Sequence, residues 1–164
     1  MFSILVLCTG NSARSILGEA ILAKLGAGRL VAYSAGSKPK GVPHPGALRC
    51  LERKGIDTSQ FRSKSWDEFT GAGAPLIDLA ITVCGNAAGE VCPVFKGAPF
   101  KAHWGLPDPA DVSGDDAEVD AAFEQTWDWL ERRARALLDL PIETMDRGKM
   151  RLRLTEIGQM EGAA

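Results

Sequence analysis

The chain has 164 residues, 45% of them hydrophobic and 24% charged, the make-up of one globular domain and not of a disordered or fibrous chain. Its 19 basic and 21 acidic residues leave a net charge of −2, which argues against a protein built mainly to coat nucleic acid. No apolar stretch approaches the roughly 18 residues of a membrane span, and Met1 to Leu7 is too short, with no basic flank, for a secretory signal. The expected location is the cytoplasm. There the four cysteines, Cys8, Cys50, Cys84 and Cys92, read as catalytic, redox-active or metal-binding thiols more readily than as structural bridges.

Phe2 to Leu7 is a continuous apolar run, expected of a strand buried on both faces. From Ser12 the spacing turns helical, with Ile16, Leu17, Ala20, Ile21 and Leu25 on one face and Gly26 as the stop. Leu30 to Ala35 predicts a second strand, ended by Gly36. Pro45 opens a second helix that carries Ala47, Leu48 and Leu51 inward and ends at Gly55. Cys50 falls beside Leu51 on that inner face and reads as packing. Leu76 to Val83 predicts a third strand and Phe100 to Trp104 a short fourth. Val119, Phe123, Trp127, Leu130, Ala134 and Leu137 form the apolar face of a long helix. After Pro141, the stretch Ile142 to Met160 predicts a further helix through Met145, Met150, Leu154 and Ile157, with Arg147, Lys149, Arg151 and Arg153 on a solvated face. Strands alternating with helices predict an α/β fold: one domain, residues 1–140, with a central four-stranded parallel sheet flanked by helices, and a C-terminal helical extension, residues 141–164.

The first strand runs into Cys8-Thr9-Gly10-Asn11-Ser12-Ala13-Arg14-Ser15 and then a helix. In open α/β sheets ligands bind beyond the carboxyl ends of strands, and a helix N-terminus presents unpaired N–H groups and a favourable dipole to an anion. The residues Thr9 to Ala13 would cradle a tetrahedral oxyanion, with Gly10 granting the loop its conformational freedom. Arg14 would clamp two oxygens with its planar fork. The same field is expected to lower the pKa of Cys8 and make it a nucleophile, with Ser12 and Ser15 donating toward its sulfur. Residues 2 to 36 resemble the start of the low-molecular-weight protein tyrosine phosphatase superfamily, and Cys8 to Ser15 matches its phosphate-binding loop. That superfamily includes phosphotyrosine phosphatases and arsenate reductases, which this motif alone does not separate.

Cys84 follows the third strand and so falls on the same sheet edge as Cys8. Seven residues separate it from Cys92, most of them small, and closing so short a loop costs little chain entropy. The two thiols are open to three readings: a redox pair, unrelated loop thiols, or a zinc site with His103 that lacks a fourth ligand. The pair resembles the resolving cysteines of the arsenate reductase branch, where the spacing is often one residue shorter. His103-Trp104-Gly105-Leu106-Pro107-Asp108-Pro109-Ala110 resembles the same branch, whose general acid is the Asp before Pro. Expelling oxygen from an oxyanion needs a proton, and Pro107 and Pro109 stiffen the chain around Asp108. Asp111 is the alternative acid, and His103 reads as a structural partner.

Over residues 2 to 140 the resemblance implies an arsenate reductase. Cys8 would be the nucleophile, Arg14 and Ser15 its loop partners, Asp108 the acid, and Cys84 and Cys92 the resolving thiols. Thioredoxin, or glutaredoxin with glutathione, would reduce the final disulfide. No metal and no organic cofactor is implied, and neither is a nucleic-acid or membrane partner. The alternative is a phosphotyrosine phosphatase using Cys8, Arg14 and Asp108 alone, and a third reading is a non-catalytic oxyanion-binding protein. In some arsenate reductases of the family a potassium ion lies beside the loop, at positions matching Asn11, Glu19 and Ser34. Further oxygen ligands there follow a Gly-Ile-Asp stretch, here Gly55-Ile56-Asp57, and the matching region reads Arg62-Ser63-Lys64. The expectation is that the Lys64 ammonium takes the cation's place, pairs with Glu19 and steadies Asn11. The competing reading is a solvated surface lysine.

Overall fold

The computed structural model describes residues 1–85, 93–97 and 99–164. Four strands, β1 (Phe2–Cys8), β2 (Leu30–Gly36), β3 (Leu79–Thr82) and β4 (Phe100–His103), form one parallel sheet in the order β2-β1-β3-β4. Four helices accompany them among the described residues: α1 (Arg14–Leu25), α2 (Pro45–Arg53), α3 (Asp116–Leu138) and α4 (Arg147–Gly158). The register aligns the strand ends, Cys8 with Gly36, Leu7 with Thr82, and Thr82 with His103. Chain segments leaving β1, β3 and β4 therefore emerge along one edge.

β1 is apolar throughout because the sheet is covered on both faces. Ile4, Val6 and Cys8 point into the main core, built with residues of all four described helices. Leu5 and Leu7 point the other way, against Ala35, Phe69, Ile77, Ala80 and Phe95. The 3₁₀ turn Trp66–Phe69 helps cover this second face.

Boundaries shift where hydrogen bonds outside the apolar pattern take over. β3 starts at Leu79, not Leu76: the Ile77 N–H donates to Lys96 O (2.8 Å), while Ser3 N donates to the Asp78 carboxylate (2.8 Å). α3 begins ahead of its first apolar residue because Asp115 accepts from Glu118 N (2.9 Å) and Glu118 accepts from Asp115 N (3.2 Å), a capping box. α4 starts at Arg147, later than the predicted Ile142, with the Asp146 carboxylate accepting from Lys149 N (3.1 Å). Residues 141–164 do not hang from the domain: α4 packs on β4, and Met150, Leu154 and Ile157 enter the main core. Among the described residues no helix is long and apolar enough to cross a membrane.

Candidate active site

The loop after β1 is tied down from outside. Thr9 O accepts from Lys38 N (2.9 Å), Gly10 O from Lys40 N (3.0 Å), and Ser12 O from His44 N (2.8 Å). A Cβ on Gly36 would collide with Thr9 O, so β2 needs glycine there to lie this close to the loop. The left-handed residue of the loop is Asn11, φ +43°, and not Gly10. Gly10 instead lies under the aliphatic stem of Lys40. Asn11 holds its conformation by bonding in three directions: Nδ2 donates to Ser15 Oγ (2.8 Å) and Ser34 Oγ (3.0 Å), and Oδ1 accepts from Lys64 N (2.9 Å). The bonds from Lys38, Lys40 and His44 occupy the carbonyls of Thr9, Gly10 and Ser12. α1 then starts at Arg14, and among the described residues no side chain caps it; the first N–H groups of a helix are the usual place for an anion.

A cavity of about 180 Å³ opens on this loop, lined by Cys8, Thr9, Gly10, Ser12, Ala13, Arg14, Lys38, Lys40, Cys84 and Asp108. Arg14 Nη1 donates to Leu106 O (2.7 Å) and Nη2 pairs with the Asp108 carboxylate (3.1 Å), while Nε has no hydrogen-bond partner among the described residues. Asp108 is held from the other side, its Oδ1 accepting from Ala110 N (3.0 Å) as the cap of the turn Pro109–Asp111. Asp111 is exposed and lies outside the cavity lining. His103 is at the surface, with Nδ1 bonded to Thr82 Oγ1 (2.7 Å).

Cys8 and Cys84 are both buried and within hydrogen-bonding reach of each other, and Thr9 Oγ1 lies 3.7 Å from Cys84 Sγ. The expected lowering of the Cys8 pKa is not what the geometry produces. The hydrogen bond to Cys84, burial and the Cys84 charge push the Cys8 thiol up, and Arg14 and the Gly10 amide only partly pull it back. Nor do Ser12 and Ser15 reach the sulfur among the described hydrogen bonds; Ser15 Oγ accepts from Asn11 Nδ2 (2.8 Å). Cys92 lies outside the described residues. Cys50 is buried at the α2–α3 contact, where burial first and Glu124 second push its thiol up to about 11.

Behind the loop lies a second polar cluster. Lys64 is 8% exposed, which excludes a solvated lysine. Its Nζ lies 3.7 Å from the Glu19 carboxylate and donates to Ser34 Oγ (3.5 Å) and Arg62 O (3.1 Å), while Ser34 Oγ donates to Glu19. Thus Asn11, Ser15, Glu19, Ser34 and Lys64 form one bonded group beneath the oxyanion loop. Sequence reasoning missed Lys38 and Lys40. The available signal was a pair of basic residues just past a strand end that lies beside Cys8 in the sheet. Among the described residues, no group of three or more His, Cys, Asp or Glu side chains is placed to hold a metal ion.

The family model for low molecular weight phosphotyrosine protein phosphatases matches residues 3–150. The chain belongs to this family of enzymes. It is 36% identical over 133 residues to an arsenate reductase of Halalkalibacterium halodurans, an alignment covering 81% of this chain and 92% of the relative. Among solved structures it is similar to an arsenate reductase in the phosphate-binding state, with 29% identity, a TM-score of 0.62, and coverage of 82% of this chain and 98% of that one. It is similar as well to the tyrosine phosphatase Wzb of Escherichia coli K30 in complex with sulphate, with 26% identity, a TM-score of 0.63, and coverage of 84% and 99%. The family thus spans a reductase and a hydrolase on one phosphate-loop fold, and the fold alone does not choose between them.

Proposed function

We propose that the chain reduces arsenate to arsenite by a thiol relay. The observation that carries this reading is the Cys84 thiol set against Cys8 inside the oxyanion cavity. A phosphomonoester hydrolase needs one nucleophilic thiol, an acid and an oxyanion clamp, and gains nothing from a second thiol. A reductase needs it, because two electrons must leave the site as a disulfide.

Arsenate enters as the dianion, its oxygens on the loop amides of Thr9 to Ala13 and on Arg14. Cys8 sulfur attacks arsenic; its thiol proton and one from Asp108 go to the departing oxygen, which leaves as water. Cys84 then attacks Cys8 sulfur, its thiol proton passing to an oxygen of the arsenic adduct. The sulfur–arsenic bond breaks with its electron pair on arsenic, releasing arsenite and leaving a Cys8–Cys84 disulfide. Cys92 attacks Cys84, forms the Cys84–Cys92 disulfide and frees Cys8. A dithiol reductant of the thioredoxin type restores both thiols by exchange, and the relay belongs in the reducing cytoplasm. Glutaredoxin with glutathione is the competing reductant.

The test is arsenate turnover coupled to NADPH oxidation, with the thioredoxin and glutaredoxin systems supplied separately. Cys8→Ser should abolish arsenate reduction and aryl phosphate hydrolysis together. Cys84→Ser and Cys92→Ser should stop repeated arsenate turnover and leave the hydrolysis. Hydrolysis without arsenate turnover in the wild type would overturn the reductase in favour of the phosphatase, and repeated turnover by Cys92→Ser would remove Cys92 from the relay.

A further inference from the structure

The C-terminal segment ends against the loop that carries Asp108. α4 crowds the end of β4, so that a side chain at Gly158 would collide with His103 O. Past the helix, Gly162 (φ +95°) lies on the Trp129 indole, where a Cβ would strike the ring. Ala164 N then donates to Gly105 O (3.0 Å). Gly105 opens the stretch Gly105-Leu106-Pro107-Asp108, whose Leu106 carbonyl and Asp108 carboxylate hold Arg14 at 2.7 and 3.1 Å.

Arg133 on α3 anchors this segment from beneath. It is fully buried (0% exposed), and no carboxylate among the described residues lies within ion-pairing distance. Its Nη2 donates to Met160 O (2.7 Å) and its Nη1 to Glu161 O (3.0 Å) and Trp129 O (3.2 Å), while Nε has no partner among the described residues. Burying a guanidinium without an anion opposes folding, and an apolar side chain of similar volume fills such a space at less cost. What the guanidinium adds is direction. Two carbonyls just beyond α4 are pinned to α3, and the following residues are laid across Trp129 onto Gly105.

We propose that Arg133, acting through residues 159–164, is a positioning residue for the loop Gly105–Asp108 and thereby for the Arg14–Asp108 pair. The proposal rests on Asp108 and Arg14 serving the reaction as described above, whether the acceptor is arsenate or an aryl phosphate. It is tested on the full chain with Gly162→Val, a partly exposed position where the added side chain lifts the segment off Trp129. In both arsenate turnover and aryl phosphate hydrolysis, kcat should fall about tenfold while KM changes less than about twofold, because the loop serves the transition state more than binding. In an Asp108→Asn background the same substitution should cost less than about twofold, since coupled groups are not additive. Arg133→Met should reproduce the kcat loss and Arg133→Lys should recover part of it. If Arg133→Met fails to fold, the Gly162→Val cycle decides alone. Equal losses in both backgrounds, or a lower melting temperature with kcat unchanged, would overturn the proposal. A wild type that hydrolyses the aryl phosphate but leaves arsenate untouched speaks against the reductase only, and the cycle is then read on hydrolysis.

Discussion

Lys64 and Glu19 sit under the oxyanion loop as a buried pair, each resisting its own charge and supporting the other's. Burial pushes Glu19 up and its Lys64 neighbour pulls it back; burial pushes Lys64 down and Glu19 pulls it back. Breaking such a pair from one side leaves a buried charge without its partner, which costs about 3–5 kcal/mol. Lys64→Ala should therefore destabilise the protein by about 3 kcal/mol in urea denaturation, and it also opens a cation-sized gap beside Glu19, Ser34 and Asn11. If the ammonium stands in for a bound cation, wild-type turnover should be nearly the same in potassium and tetramethylammonium salts at matched ionic strength. The Lys64→Ala enzyme should acquire a potassium dependence. Strong, specific activation of the wild type by potassium would refute this role for Lys64.

At the scale of elements, α2 and α3 are joined by a band of charge lying over Cys50. Glu124 accepts from Arg53 Nε (2.9 Å) and Lys54 Nζ (2.9 Å), and Asp120 accepts from Arg49 Nε (2.8 Å). Burial alone would push Glu124 up, but the bonds and charges of Lys54 and Arg53 outweigh it and hold the carboxyl below its ordinary value. A carboxylate depressed on folding contributes stability above its unfolded pKa and loses it as the pH falls through the lower folded value. These pairs are partly exposed, so Glu124→Gln should cost only about 1 kcal/mol at pH 7. The gap between wild type and variant should close as urea midpoints are followed down from 4.5, the ordinary value. A gap that is constant across that range would show that the charge on Glu124 contributes nothing.

For the molecule as a whole, the question is whether residues 141–164 unfold with the sheet. α4 buries Met150, Leu154 and Ile157 in the same cluster as Ile4, Val6 and Leu130, and Arg29 bonds Leu138 O and Leu140 O where α3 ends. A segment that shares its core with the sheet has no cooperative unit of its own. Leu154→Ala should therefore lower global stability by about 3 kcal/mol, with near- and far-ultraviolet circular dichroism following one transition. Two separated transitions would make the segment an independent appendage.

What could be read from the chain alone is what short stretches decide. The two-sided apolar run Phe2 to Leu7, the helical spacing from Ile16 to Leu25 and the alternation of strands with helices imply a parallel sheet. A parallel sheet sends the ends of β1 and β3 to one edge, and Cys8 and Cys84 with them. Contacts between distant segments had no such signature. Arg14 meets Leu106 across 92 residues and Asn11 meets Lys64 across 53, and only chain packing brings such partners together. The same holds for Lys38 and Lys40 on the cavity wall, and for the left-handed turn falling on Asn11, which side-chain bonds hold there in place of glycine's freedom. Cys8 is the sharpest instance. Its loop and its arginine were visible in the sequence and argued for an acidic thiol, but the buried Cys84 beside it raises the cost of ionisation, and that neighbour is placed by the sheet register.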